Sequence, residues 1–198
     1  MAGMRGSKED DRTLSDSDLI RRCSKGESRA QELLYRRYFS FAMSICIRYT
    51  RDQYEAMEIV NDGYMKVLSG IKEFDVSGSF RSWYGKILVN SAIDNYRRNS
   101  KYVSHLQISD LEVAEMEEPL INAELSANEI LSLFNSLPDN YRLTFNLYEI
   151  EGYSHEEIGR MLDISTSTSR SNLSRAKKML RDLYRKKFNS ERSGNEGV

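Results

Sequence analysis

Apolar residues in this chain recur in steps of three and four, and the steps break at a few Gly, Pro and Ser/Asp positions. From Asp16 to Tyr49 the series runs Leu19, Ile20, Cys23, then Ala30, Leu33, Leu34, Tyr38, Phe41, Ala42, Ile45, Cys46 and Tyr49. That spacing is the buried stripe of an amphipathic helix. Gly26 interrupts it, so the pattern predicts a short helix, a turn and a long helix. From Tyr54 to Ser69 a second stripe of Ala56, Ile59, Val60, Tyr64, Val67 and Leu68 leaves Glu55, Glu58, Asn61, Asp62 and Lys66 on other faces, one side for a core and another for solvent or a partner. Asp75, Ser77, Gly78 and Ser79 have loop composition. Ser79 is placed to N-cap a helix running from Phe80 to about Asn99, with Trp83 and Ile87 facing inward.

Beyond a polar stretch the periodicity resumes. Ile130, Leu131, Phe134 and Leu137 end at Pro138, and Tyr141 to Ile150 gives a short helix closed by Gly152. Ser154-His155-Glu156-Glu157 has the form of a capping box, in which the serine hydroxyl takes the third amide of the helix and the glutamate reaches back. It predicts a helix from His155 to Leu162. Asp163-Ile164-Ser165 breaks the chain, Ser165 caps again, and Leu173, Ala176, Leu180, Leu183 and Tyr184 mark one more buried stripe. A short helix, a tight turn and a longer helix form a helix-turn-helix. The only prolines, Pro119 and Pro138, fall between patterned segments. The expectation is an all-α protein of two small helical domains.

Charge changes this picture through its distribution. The formal net charge is −1, a poor match to a nucleic-acid binder if spread evenly. Between Lys101 and Ile130, however, seven acids face one base, whereas between Ser165 and Lys187 eight bases face one acid, and Arg81 to Lys101 carries five bases against Asp94. Two basic stripes separated by an acidic linker point to two contacts with a polyanion. Cys23 and Cys46 sit within helical stripes, and the sequence shows no secretory leader and no apolar run of membrane-spanning length. We expect a cytoplasmic protein with both thiols reduced.

The candidate chemistry is that of binding. In the last helix Ser167, Arg170, Ser171, Asn172, Ser174, Arg175 and Lys178 are of the types that contact base edges and phosphates: Arg takes guanine bidentately, Asn suits adenine, and Ser suits phosphate. The plain alternative is a solvated basic face. Between Arg81 and Asn99, Trp83, Tyr84 and Tyr96 interleave with Lys86, Asn90, Asp94, Arg97 and Arg98, a mixture suited to stacking unpaired bases and holding their backbone; Trp83 also fits a core. Glu55, Glu58 and Asp62 superficially resemble a metal or acid–base cluster, yet His105 and His155 lie elsewhere, with no metal-ligand spacing. A solvated face and a protein-docking surface both fit those carboxylates. No phosphate-binding loop, dinucleotide fingerprint, nucleophile elbow or cysteine cluster is present. We expect no catalytic residues, metal, cofactor or small-molecule substrate.

The order of these parts is itself recognisable. Glu55-Ala-Met-Glu-Ile-Val-Asn-Asp-Gly-Tyr-Met-Lys-Val67 resembles the polymerase-docking helix of extracytoplasmic-function (ECF) sigma factors, the bacterial RNA polymerase specificity subunits. Arg81-Ser-Trp-Tyr-Gly-Lys-Ile-Leu-Val-Asn-Ser-Ala-Ile-Asp-Asn-Tyr-Arg-Arg98 resembles their promoter-melting helix. Leu137-Pro-Asp-Asn-Tyr-Arg142, Tyr153-Ser-His-Glu-Glu-Ile-Gly-Arg-Met-Leu162 and Ser174-Arg-Ala-Lys177 resemble the opening and the helix-turn-helix of their second domain. Together these blocks cover about Asp16 to Tyr184.

The resemblance implies a flexible N-terminus (1–15), a region 2-like helical bundle (16–100), an acidic linker (101–126), a region 4-like helix-turn-helix domain (127–188) and a flexible tail (189–198). It implies docking on core RNA polymerase through Glu55, Glu58, Ile59, Asn61, Asp62 and Lys66. Asp75, Phe80, Trp83, Lys86, Asn90, Asp94, Arg97 and Arg98 would hold the opened minus-ten strand of promoter DNA, and the helix after Ser165 would read the minus-thirty-five duplex. An anti-sigma factor, often membrane-anchored, is the regulatory partner the family implies. Two positions depart from the family pattern: Met57 where an acid is common in the docking helix, and Ser169 where the recognition helix usually places a β-branched apolar residue. The run Ser165-Thr-Ser-Thr-Ser169 also has poor helix propensity, so the start of that helix is expected to firm up only on DNA. A dimeric helix-turn-helix regulator and a helical adaptor docking through its acidic linker are the readings of other classes.

Overall fold

The computed structural model describes residues 14–103 and 127–194, with side chains described for 14–99 and 129–186. The described residues are helical, without strands: α1 (Asp16–Ser24), α2 (Ser28–Cys46), α3 (Gln53–Gly70), α4 (Phe80–Val103), α5 (Ala127–Asn135), α6 (Asp139–Phe145), α7 (His155–Leu162) and α8 (Thr166–Gly194). They fall into two compact units, one reaching Asp94 apart from Arg48–Arg51, the other formed by those four residues and the chain from Asn95. The segment expected to be the acidic linker lies, beyond Val103, outside the described residues, as do 1–13 and 195–198.

In the first unit the helix starts are fixed locally. Ser15 caps α1 by accepting from the Asp18 amide, and Asp52 caps α3 by accepting from the Tyr54 and Glu55 amides. Gly26 makes the α1–α2 turn at φ 82°, a left-handed backbone that glycine adopts without steric cost. The core lays the expected stripes, Leu19, Ile20 and Cys23 from α1, Ala30, Leu34 and Ala42 from α2, and Ala56, Ile59, Val60 and Val67 from α3, against Leu88, Val89, Ala92 and Ile93 of α4; Trp83 and Ile87, expected to face inward, are half-buried. Cys23 and Cys46 are both buried and form no disulfide; burial pushes the Cys23 thiol up to about 11, so it stays protonated and inert. At one end of α4 an aromatic cluster forms. Phe80 packs edge-on to Tyr38 at 4.8 Å between centroids, and Phe74 lies 4.8 Å from Trp83. Tyr38 also donates a hydrogen bond to Asp16, tying this cluster to the start of α1.

In the second unit α5, α6 and α7 all pack on α8, around Leu137, Leu143, Leu147, Ile158, Leu162, Leu173 and Ala176. Arg142 is buried with them, its Nη2 donating to Asp139 at 2.7 Å. The helix expected over 141–150 is regular only to Phe145; Asn146–Ile150 is a π-helical turn. The capping box at Ser154 has both halves, and α7 spans His155–Leu162 as its cap requires. Asp163 then takes a left-handed conformation at φ 56°, and the Ile164 amide donates back to the Gly159 carbonyl at 3.0 Å. α8 is helical from Thr166, with Ser165 in the expected capping place: its Oγ accepts from the Thr168 amide at 3.0 Å, and Ser169 is held from outside the helix.

Candidate functional site

α3, whose start is fixed by Asp52, turns Glu58, Asn61, Asp62 and Lys66 to solvent, with Glu55 half-buried. Two apolar side chains share that outer surface, Tyr54 at 87% and Met65 at 62% exposed. Both were overlooked in the sequence, where neither fits the buried stripe and neither is charged; apolar residues off the stripe are the signal that would have found them. Asn61 is oriented, its Oδ1 accepting from Tyr35 Oη at 2.9 Å, which leaves the amide N–H groups outward. Ile59 is a correction: at 2% exposure it is a core residue, as its place in the Ala56–Val60–Val67 stripe demands.

The loop before α4 is self-organised. Asp75 accepts from the Ser77 amide at 2.9 Å and its hydroxyl at 2.8 Å, and the Gly78 amide donates to the Asp75 carbonyl at 2.9 Å. The Ser77 amide and hydroxyl hold the Asp75 carboxyl below its ordinary value. Ser79 caps α4 by accepting from the Ser82 amide at 3.3 Å. Along α4, Lys86, Asn90, Asp94, Arg97 and Arg98 are exposed and Trp83 is half-buried. Phe80, expected at the strand-binding surface, is corrected to a core aromatic at 4% exposure, enclosed by Tyr38, Phe74, Trp83 and Tyr84. Asp94 and Lys66, expected to meet different partners, form an ion pair in which both side chains stay about half exposed, Lys66 Nζ to Asp94 Oδ2 at 2.9 Å.

On α8 the exposed positions Ser167, Arg170, Ser171, Ser174 and Lys178 follow the three- and four-residue spacing of one helix face. Arg175 borders it, half-buried, with its Nη1 donating to Tyr141 Oη at 3.4 Å. Asn172 is the third correction. It is 4% exposed and shares the inner face with Ser169, Leu173 and Ala176, so its amide is turned away from any duplex lying on the outer face. Among the described residues no group of His, Cys, Asp and Glu has a metal-binding arrangement, and no helix is long and apolar enough to cross a membrane. The geometry is thus a set of presented surfaces: a carboxylate and amide face with two apolar anchors, a polar loop with a basic helix, and a basic helix seated in a helix-turn-helix.

Comparison with known proteins agrees with this division. Residues 34–102 match the family model for Sigma-70 region 2, and residues 127–180 match that for Sigma-70, region 4. The chain is 26% identical over 178 residues to the ECF RNA polymerase sigma-E factor of Haemophilus influenzae, covering 84% of this chain and 94% of that one. It is 28% identical over 179 residues to the ECF sigma-E factor of Escherichia coli K12, covering 84% and 93%. The chain belongs to the ECF sigma-factor family.

Sigma factors are transcription initiation factors, and this one acts with RNA polymerase in promoter-directed transcription. Solved structures similar to the sigma factor include CnrH in complex with the cytosolic domain of CnrY, with TM-score 0.45, 19% identity and coverage of 85% of this chain and 96% of that one. Another is RpoE with the anti-sigma factor NepR from Bartonella quintana, with TM-score 0.48, 19% identity and coverage of 76% and 94%.

Proposed function

We propose that this sigma factor docks on core RNA polymerase through the outer face of α3, captures the melted minus-ten strand with the 75–79 loop and the outer face of α4, and reads the minus-thirty-five duplex with α8. The observation that carries the reading is the outer face of α8, where Ser167, Arg170, Ser171, Ser174 and Lys178 stand in register beyond a capped α7. A helix so seated and so charged offers base-edge and phosphate contacts along a major groove.

In this reading Glu55, Glu58, Asn61, Asp62 and Lys66 supply the polar part of the docking contact and Tyr54 and Met65 its apolar part. Asp75, Lys86, Asn90, Asp94, Arg97 and Arg98 hold the open strand, with Trp83 at its edge. Catalysis belongs to the polymerase; this chain supplies promoter choice and a well for the opened state, offsetting an unstacking cost of a few kcal/mol. The domain roles are then docking and melting before the acidic linker and duplex reading after it, and the working compartment is the cytoplasm. An anti-sigma factor is the regulatory partner that family membership implies.

The test is transcription in vitro from a pool of genomic upstream fragments, with core polymerase alone and with core plus this protein. New discrete starts preceded by a shared two-part element are the expected outcome. Duplex retention without polymerase and without new starts would replace this reading by a conventional dimeric regulator. In the same assay Asn90→Ala with Asp94→Ala should impair open-complex formation more than polymerase binding; equal loss of both would remove the strand-capture role.

A further inference from the structure

The seating of α8 on α7 runs through a polar contact as well as through packing. Ser169, one turn into α8, is 0% exposed. A hydroxyl buried there needs a partner, since leaving one unsatisfied costs about 1–3 kcal/mol. Its Oγ lies 3.0 Å from Nδ1 of His155, the first residue of α7. The imidazole is backed by Tyr148, with ring centroids 4.4 Å apart and planes at 20°, and Tyr148 belongs to the π-helical turn Asn146–Ile150. Three elements therefore meet at one ring.

The groups that face this ring from other elements are the Tyr148 phenol and the Arg170 guanidinium. Burial lowers the imidazole's proton affinity, and the charge of Arg170 lowers it further. On α7 itself Glu157 is committed to the Ser154 amide and hydroxyl, at 2.8 Å each, and Glu156 is exposed. In the tautomer with its proton on Nε2, the ring accepts the Ser169 O–H bond at Nδ1. A proton on Nδ1 reverses that bond without breaking it, the imidazolium N–H donating to Ser169 Oγ, and sets a cation beside Arg170.

We propose that His155 is a positioning residue for α8: the ring, held flat by Tyr148, anchors Ser169 and fixes the angle at which Ser167, Arg170, Ser171 and Ser174 are presented. This deepens the reading of α8 as the duplex-reading helix and rests on it. The direction in pH follows from linkage. The folded chain holds the imidazole's affinity below its ordinary value, so the folded state binds fewer protons than the unfolded one. The ring's contribution to stability is complete above that ordinary value and is lost as pH falls below it, through the lower value of the folded chain.

The first measurement uses the full chain without DNA: an NMR titration of His155, and amide exchange of residues 166–172 corrected for intrinsic rates at about pH 5.5 and about pH 7.5, on either side of the ordinary imidazole value. His155 should titrate below that value. At both pH values His155→Ala should exchange roughly three- to tenfold faster than wild type, the factor that one net hydrogen bond represents. His155→Asn, whose amide reaches the place of Nδ1, should restore protection. Unchanged protection in His155→Ala would overturn the proposal.

The second measurement is promoter affinity and base discrimination of the polymerase complex. His155→Ala should lose both and His155→Asn should recover them. Lost protection with promoter recognition intact would overturn the positioning role while leaving the sigma reading standing. Sensitivity of promoter binding to α3 and α4 substitutions but to none on α8 would sink the reading of α8, and the positioning role with it.

Discussion

A methyl group at position 159 would meet the carbonyl oxygen of Ile164 at 2.8 Å. The obstacle is backbone, and the Ile164 amide is already bonded to the Gly159 carbonyl, so the turn between α7 and α8 has no room to yield. Gly159→Ala should therefore lower stability by about 1–3 kcal/mol, read by urea unfolding followed by circular dichroism. Four residues on, Asp163 carries a left-handed φ of 56°, which disfavours a side chain, although Asp tolerates it better than most residues. Asp163→Gly should raise stability by about 0.5–1 kcal/mol, the relief exceeding the added freedom of the unfolded chain, whereas Asp163→Val should lower it. The sequence marked the break at Asp163-Ile164-Ser165 but not the closeness behind Gly159, because the obstructing atom belongs to a backbone folded back on itself. Asn172 was read through its residue type; its position, four residues before Ala176, puts it inside, as Ser169 is put inside four residues before Leu173.

Helices whose ends are set by local chemistry were legible in the sequence, and α7 is the clearest case. Its boundaries follow from a serine, a glutamate and an apolar stripe within a few residues of one another. α3 is as legible in its core stripe, yet its outer anchors Tyr54 and Met65 were not, since an exposed aromatic or methionine looks in sequence like another core residue. The π-helical turn at Asn146–Ile150 was not legible at all: it inserts a residue into a helix whose composition remains that of a helix. At this scale the cap of α3 gives a direct test. Asp52 accepts from the amides of Tyr54 and Glu55 at 2.8 and 2.9 Å. Asp52→Ala should cost about 1 kcal/mol and Asp52→Ser should recover most of it, as measured by thermal unfolding. Because the same turn carries Glu55 and Tyr54, affinity for core polymerase should fall in Asp52→Ala and return in Asp52→Ser.

Over the whole molecule charge is sorted rather than balanced, and a net charge of −1 conceals two surfaces of opposite use. The basic face of α8 separates into residues with different expected effects. Lys178→Ala should weaken promoter binding uniformly across sequences and reduce the logarithmic salt dependence by about one unit, while Arg170→Ala should cost about 1–3 kcal/mol chiefly at a single base pair. Salt titrations of the polymerase–promoter complex on matched and mismatched promoters distinguish the two. That the chain forms two helical units was legible because the periodic stripes stop and restart around the acidic stretch; their bounds were not, since Arg48–Arg51 and the chain from Asn95 group with the second unit. The Lys66–Asp94 pair was not, since residues far apart in sequence meet only once α3 and α4 have packed. Asp163 has a meaning in descent as well as in geometry. Aspartate and glycine codons are a single base change apart, so the glycine that this left-handed corner favours is one mutation away. Aspartate there leaves that stability unused, as expected where selection asks only that a fold stay above a threshold.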